Sequence, residues 1–107
     1  HYFYVSNGGI IARYKLTTGA YAGWVGAVMR TPTGGAPGCA ATGFMLPTPG
    51  WCLGGYGTYV DEARINGGYS IYGLVYEATT NRLYVADTGG RIIRIHPTTG
   101  LMEAWIG

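Results

Sequence analysis

Charge is scarce in this chain: only 11% of its 107 residues are Asp, Glu, Lys or Arg, against about 25% in an average globular protein. The seven basic side chains (Arg13, Lys15, Arg30, Arg64, Arg82, Arg91 and Arg94) are spread singly and leave a formal net charge of +2. A nucleic-acid reader clusters such residues along one stripe, so no nucleic-acid partner is expected. No apolar run approaches the roughly 18 residues of a membrane span, and no membrane insertion is expected. Strong helix formers are few, and glycine, at 20 positions, interrupts every stretch before a helix reaches three turns. Disorder is excluded as well, because aromatic and β-branched residues are frequent and the net charge is small.

Chemistry-bearing residues are equally thin. The two histidines, His1 and His96, lie far in sequence from the two cysteines, Cys39 and Cys52, so a zinc site lacks ligands. The Cys-x-x-Cys redox spacing is absent. A disulfide between Cys39 and Cys52 is therefore favoured over two free thiols, which implies an oxidising compartment and an extracellular or cell-surface location. Closing a loop of this size contributes about 3 kcal/mol in the chain-entropy treatment. No Ser-His-Asp set, carboxylate pair or phosphate-cradling loop is present. Neither an enzyme nor a cofactor is expected. The opening HYFYV, without a Met or a signal peptide, is expected of a segment or a processed product.

What the chain does have is an internal repeat, the first thing to seek in a Gly-rich β sequence. HYFYVSNGGIIARYKLTTGAYAGWVG (1–26) aligns with NRLYVADTGGRIIRIHPTTGLMEAWIG (81–107), with one extra residue in the second copy near Thr88. Tyr4/Tyr84, Val5/Val85, Gly8/Gly89, Gly9/Gly90, Ile11/Ile92, Arg13/Arg94, Thr17/Thr98, Thr18/Thr99, Gly19/Gly100, Trp24/Trp105 and Gly26/Gly107 are identical. Each copy reads as strand, tight Gly turn, strand, Thr-Thr-Gly turn, strand. YSIYGLVYEATTN adds one further strand and turn ahead of the second copy. Four short antiparallel strands in series form a meander, the unit of a propeller blade.

SIYGLVYEATTNRLYVADTGGRIIRIHPTTGLMEAWIG resembles an NHL-type propeller blade, through its YVAD strand, T-G-x-x-R-I core and aromatic-Gly ending. The likeness covers residues 70–107 and, for three strands, 2–26. The stretch between, with its PGWC-GG segment, is similar to insertions in large bacterial extracellular tandem-repeat proteins. The resemblance implies an all-β fold of four-stranded antiparallel blades, about one and three-quarter of them. The last three strands of one blade fall in 1–26, a Gly/Pro/Thr-rich disulfide-bearing insertion in 27–66, and a complete blade in 67–107.

Individual residues read mostly as structural. Asp87 is replaced by Asn7 in the first copy, so it reads as a turn-bonding side chain. Asp61 and Glu62, with Asn66 following, make only a fragment of a calcium loop. Arg13 and Arg94 read as guanidiniums packed along a sheet and paired with backbone or carboxylate. Trp24 and Trp105 are expected to be core wedges at blade ends, and Trp51 to pack on the disulfide. Thr31, Thr33 and Thr48, each beside a Pro, are candidates for O-linked sugar; no N-x-S/T sequon exists.

A blade buries both faces against neighbours, and seven strands do not close a ring. The expected function is an extracellular structural or assembly repeat, a segment of a filament or stalk. Its expected partners are other copies of the same repeat, head-to-tail. The rival reading is a glycan- or protein-binding propeller module. Because Asn7 already occupies the position of Asp87, Asp87→Asn should leave the melting temperature and any metal content unchanged. Loss of a bound metal from that variant, measured by elemental analysis, would refute the structural reading.

Overall fold

The structure, a computed structural model, describes residues 1–7, 9–58, 71–87 and 90–106, apart from the side chains of Asn7, Tyr72 and Asp87. Asp61, Glu62 and Asn66 lie outside the described residues. The fold is all-β, with no α-helix among the described residues. The first copy supplies β1 (Tyr2–Asn7), β2 (Ile10–Lys15) and β3 (Tyr21–Val25). The intervening segment supplies β4 (Ala27–Arg30), β5 (Gly34–Gly35), a 3-10 turn at Cys39–Ala41, β6 (Cys52–Leu53) and β7 (Tyr56–Thr58). The second copy forms β9 (Arg82–Asp87), β10 (Ile92–Ile95) and β11 (Met102–Ile106), preceded by β8 (Ile71–Glu77). Strands β8 to β11 make an antiparallel four-stranded meander.

The intervening segment does not stand apart from the first copy. Its strands β6 and β5 extend that sheet in the order β1-β2-β3-β6-β5, while β4 pairs with β7. Cys52 lies directly opposite Trp24 on the neighbouring strand. The Cys39–Cys52 disulfide, with its Cα atoms 5.6 Å apart, thus fastens the segment to the sheet edge. Trp24 is 1% exposed and packs with Cys39, Cys52 and Val28; its indole N–H donates to the Gly54 carbonyl at 2.9 Å. Trp24 is therefore the ring on the disulfide, and the expectation for Trp51 is corrected. Trp51 instead joins the core that lies between the two copies.

Register explains that core. Residues directly opposed across an antiparallel pair share one face of the sheet, and alternation sends their neighbours to the other. In the first copy Tyr4 opposes Arg13 and Ile11 opposes Val25, which defines one face. Phe3 opposes Tyr14, and Ala12 opposes both Val5 and Trp24, which defines the other. In the second copy the face equivalent to this other one carries Leu83, Val85, Ile93 and Ile95. Ile11, Val25 and Trp51 are buried against Leu83, Val85, Ile93 and Ile95, with Tyr4, Leu74 and Met102 packed around them. One face of the first copy thus meets the opposite face of the second. Burial of each such aliphatic side chain stabilises by ~1.5–3 kcal/mol.

Trp51 closes the junction. Its indole N–H donates to the Pro97 carbonyl at 2.8 Å, and its ring lies 5.9 Å from that of Tyr4. The Thr-Thr-Gly turn lets it in: a Cβ on Gly100 would fall 2.9 Å from the Trp51 backbone nitrogen and 3.0 Å from its ring. Gly19, its counterpart, has the same left-handed backbone and nothing within 4 Å of that point. Both Gly→Ala changes carry the left-handed backbone cost of roughly 1–2 kcal/mol, but Gly100→Ala must also displace Trp51. Thermal unfolding should show Gly100→Ala losing clearly more stability than Gly19→Ala; equal losses would mean that the Trp51 contact carries no weight.

Candidate functional site: an arginine cleft and an open sheet face

Two surface features stand out, and each is built on a residue repeated in both copies. The first is Arg13. The pairing of β2 with β3 shifts register between Ala12 and Tyr14, and the pairing of β10 with β11 shifts between Arg94 and Ile95. A bulge of this kind re-aims the adjacent side chain, and here it falls at the repeated arginine both times. Arg13 donates through Nε and Nη2 to the Ala22 carbonyl, at 3.2 and 3.1 Å. Its guanidinium lies 4.3 Å from the Tyr2 ring centroid and 4.6 Å from that of Trp51, two cation–π contacts. Arg94 instead meets a carboxylate, with Nε 3.1 Å from Glu103 Oε1, and Arg82 shares that oxygen at 2.7 Å. Backbone pairing for one arginine and carboxylate pairing for the other agree with the sequence expectation.

Arg13 borders two adjoining clefts. One, of about 770 Å³, is walled by Tyr2, Tyr4, Tyr76, Asn81 and Thr98. The other, of about 470 Å³, includes Ala22, Trp51 and Thr98. Burial lowers the pKa of Arg13, and the neighbouring Tyr2 and Tyr4 oppose that shift; burial raises that of Tyr4. Tyr76 donates its phenol proton to Asn81 Oδ1 at 2.7 Å. Asn81 is held by the turn before β9, where it adopts a left-handed φ of 54°. Glu77 anchors that turn by accepting from the Thr79 and Thr80 amides and the Thr80 hydroxyl.

The second feature is the outer face of the second copy. It carries Tyr84, Arg94, Ile92 and Ile106, the counterparts of Tyr4, Arg13, Ile11 and Val25. Ile11 is fully buried, whereas Ile92 is 46% and Ile106 68% exposed. A shallow groove of about 200 Å³ runs across this face. The opposite end of the molecule exposes the other face of the first copy, with Phe3 stacked on Tyr14 at 5.3 Å and Tyr21 edge-on to Tyr14 at 5.5 Å. Trp105 departs from the expected core wedge: it is 47% exposed, since no described segment covers it as the disulfide segment covers Trp24. Its ring lies 6.0 Å from the Arg91 guanidinium.

The remaining candidates resolve one by one. Thr48 is 7% exposed and accepts from the Gly26 amide at 3.2 Å, so its burial removes it as a sugar acceptor; Thr31 and Thr33 are exposed. His96 accepts the Thr98 amide through Nδ1 at 3.2 Å within its turn. No group of three metal-ligating side chains occurs among the described residues. No helix of the described residues is long and apolar enough to cross a membrane. No protein family, characterised protein or solved structure matches the chain.

Hydrogen bonding from Thr80 and Thr79 holds the Glu77 carboxyl down to about 2, from an ordinary value of 4.5. A depressed acid stabilises the fold above its unfolded value and stops doing so as pH falls through the folded value. In the folded chain the Thr79 and Thr80 amides should thus keep their shifts from pH 7 to below 4.5 and move with a midpoint at about 2. An NMR titration with a midpoint near 4.5 would show that the carboxylate does not cap the turn.

Proposed function

We propose that this chain is an extracellular structural repeat of propeller type, whose blades assemble head-to-tail with other copies of the same repeat. The observation that carries this reading is the junction between the two copies. There the face bearing Tyr4, Ile11 and Val25 is covered by the face bearing Leu83, Val85, Ile93 and Ile95. The second copy presents the same first face again, as Tyr84, Ile92 and Ile106, and presents it open. The first copy presents the same second face again, as Phe3, Val5 and Tyr14, with Phe3 and Val5 exposed. A second chain that lays its Phe3–Val5–Tyr14 face on the Tyr84–Ile92–Ile106 face repeats the sheet-on-sheet part of the internal junction, without the Trp51 wedge.

A contact between unlike faces is heterologous, and it yields a ring when the rotation closes and a filament when it does not. Low charge removes most repulsion between stacked copies, which favours the filament or stalk. The Cys39–Cys52 disulfide supports an oxidising, extracellular setting. A four-stranded meander stacked face to face on the sheet of the first copy supports the propeller-type assignment.

Sedimentation of the chain should show concentration-dependent oligomers. Ile92→Asp, placed in the open face, should convert them to monomers without loss of the cooperative melt. Losing the burial of one isoleucine forfeits ~1.5–3 kcal/mol, a weakening of roughly ten- to a hundredfold per contact. A sharply melting monomer of the unsubstituted chain at millimolar concentration would overturn the reading, and discrete rings alone in electron micrographs would reject the filament.

A further inference from the structure

Arg13 and Arg94 occupy one position of the repeat yet end in different electrostatic company. Arg94 has Glu103 as its counter-ion. The first copy carries Ala22 where the second carries Glu103, and among the described residues Arg13 hydrogen-bonds only the backbone carbonyl of that alanine. Among the described residues no carboxylate lies within ion-pair distance of Arg13. Glu103 is engaged by Arg82 and Arg94, and Glu77 by its own turn. A partly buried cation without a counter-charge is costly unless something supplies one.

The site around it is shaped. The rings of Tyr2 and Trp51 both lie against the guanidinium. Two of its five N–H donors serve Ala22, which leaves three to other acceptors. Ala22 lines the cleft of about 470 Å³, so the space a glutamate would fill is open to solvent. The adjoining cleft of about 770 Å³ offers the rings of Tyr2, Tyr4 and Tyr76 together with the neutral polar groups of Asn81 and Thr98. Aromatic walls with a few convergent polar groups fit a small ring-shaped ligand that is apolar on its faces and hydroxylated at its edge.

We propose that this cleft binds an acidic saccharide, with the sugar carboxylate on Arg13 in the place of the missing glutamate. The pyranose ring lies against the tyrosine wall, and its hydroxyls reach Asn81 and Thr98. The site is internal to one chain and independent of the open Ile92 face, so it persists in the monomeric Ile92→Asp variant. Failure of the assembly reading and failure of this one are thereby separable.

The test is a titration of the chain with digalacturonate, followed by calorimetry and by tryptophan fluorescence, which Trp51 makes sensitive to Arg13. Saturable binding is expected, weakening as salt rises, with the carboxyl-reduced disaccharide at least tenfold weaker. Arg13→Gln should weaken binding at least tenfold, and Arg94→Gln should not change it. Ala22→Glu rebuilds the pair that the second copy already has, so it should abolish binding with the melting temperature unchanged or raised. An absent saturable signal, equal affinity for the neutral disaccharide, or undiminished binding by Ala22→Glu would each overturn the proposal. Equal affinity for an aspartyl dipeptide would overturn its saccharide part.

Discussion

The Trp51 indole is the contact on which the arrangement of this molecule depends. It is delivered by the segment between the copies and buried at their junction, and its N–H is spent on the carbonyl of Pro97. A buried indole N–H without an acceptor costs roughly 1–3 kcal/mol, so this bond sets where the second copy's turn sits relative to the first copy's sheet. Gly50 and Gly100 clear the way on either side: a Cβ on Gly50 would lie 2.8 Å from the Thr99 carbonyl oxygen. The same ring stacks on Arg13, so the wedge that joins the copies also orients the only described arginine that faces both clefts. Junction and cleft share one side chain.

The disulfide works one layer away. By pinning Cys52 beside Trp24, it fixes the strand that begins immediately after Trp51. The sheet edge, the bridge and the wedge therefore form one continuous support. This accounts for burial of Trp24 where its counterpart Trp105 is exposed. Identical sequence positions take different environments because, among the described residues, only Trp24 has such a support laid over it. Repeat identity sets the strands and turns, and what packs on each sheet sets burial.

Much of this was legible in the sequence. The internal repeat and the Gly turns that bound LYVAD and RIIRI located the strands of both copies, and the two cysteines had no partner but each other. The meander order followed from short turns between successive strands. What was not legible was long-range. Nothing local to Pro-Gly-Trp-Cys says whether the ring turns toward the bridge or toward a turn 46 residues away. Thr48 looked exposed because it sits between prolines, yet its neighbours fold over it to satisfy the Gly26 amide. The exchange of Glu103 for Ala22 was visible in the alignment, but its meaning needed the clefts around Arg13.

A sheet pair joined by unlike faces also has a direction, as an arrow does. One end of the molecule shows aliphatic side chains around Ile92 and Ile106, the other a ladder of aromatic rings at Phe3, Tyr14 and Tyr21. The two ends are therefore unlike, and a head-to-tail contact brings an aromatic surface onto an aliphatic one. In the proposed head-to-tail row the two ends would be distinguishable, and a cap for each would be chemically different, one aromatic-facing and one aliphatic-facing. Polarity of that sort is inherited from register alone, since it follows from which residues of β2 and β10 point up and which point down.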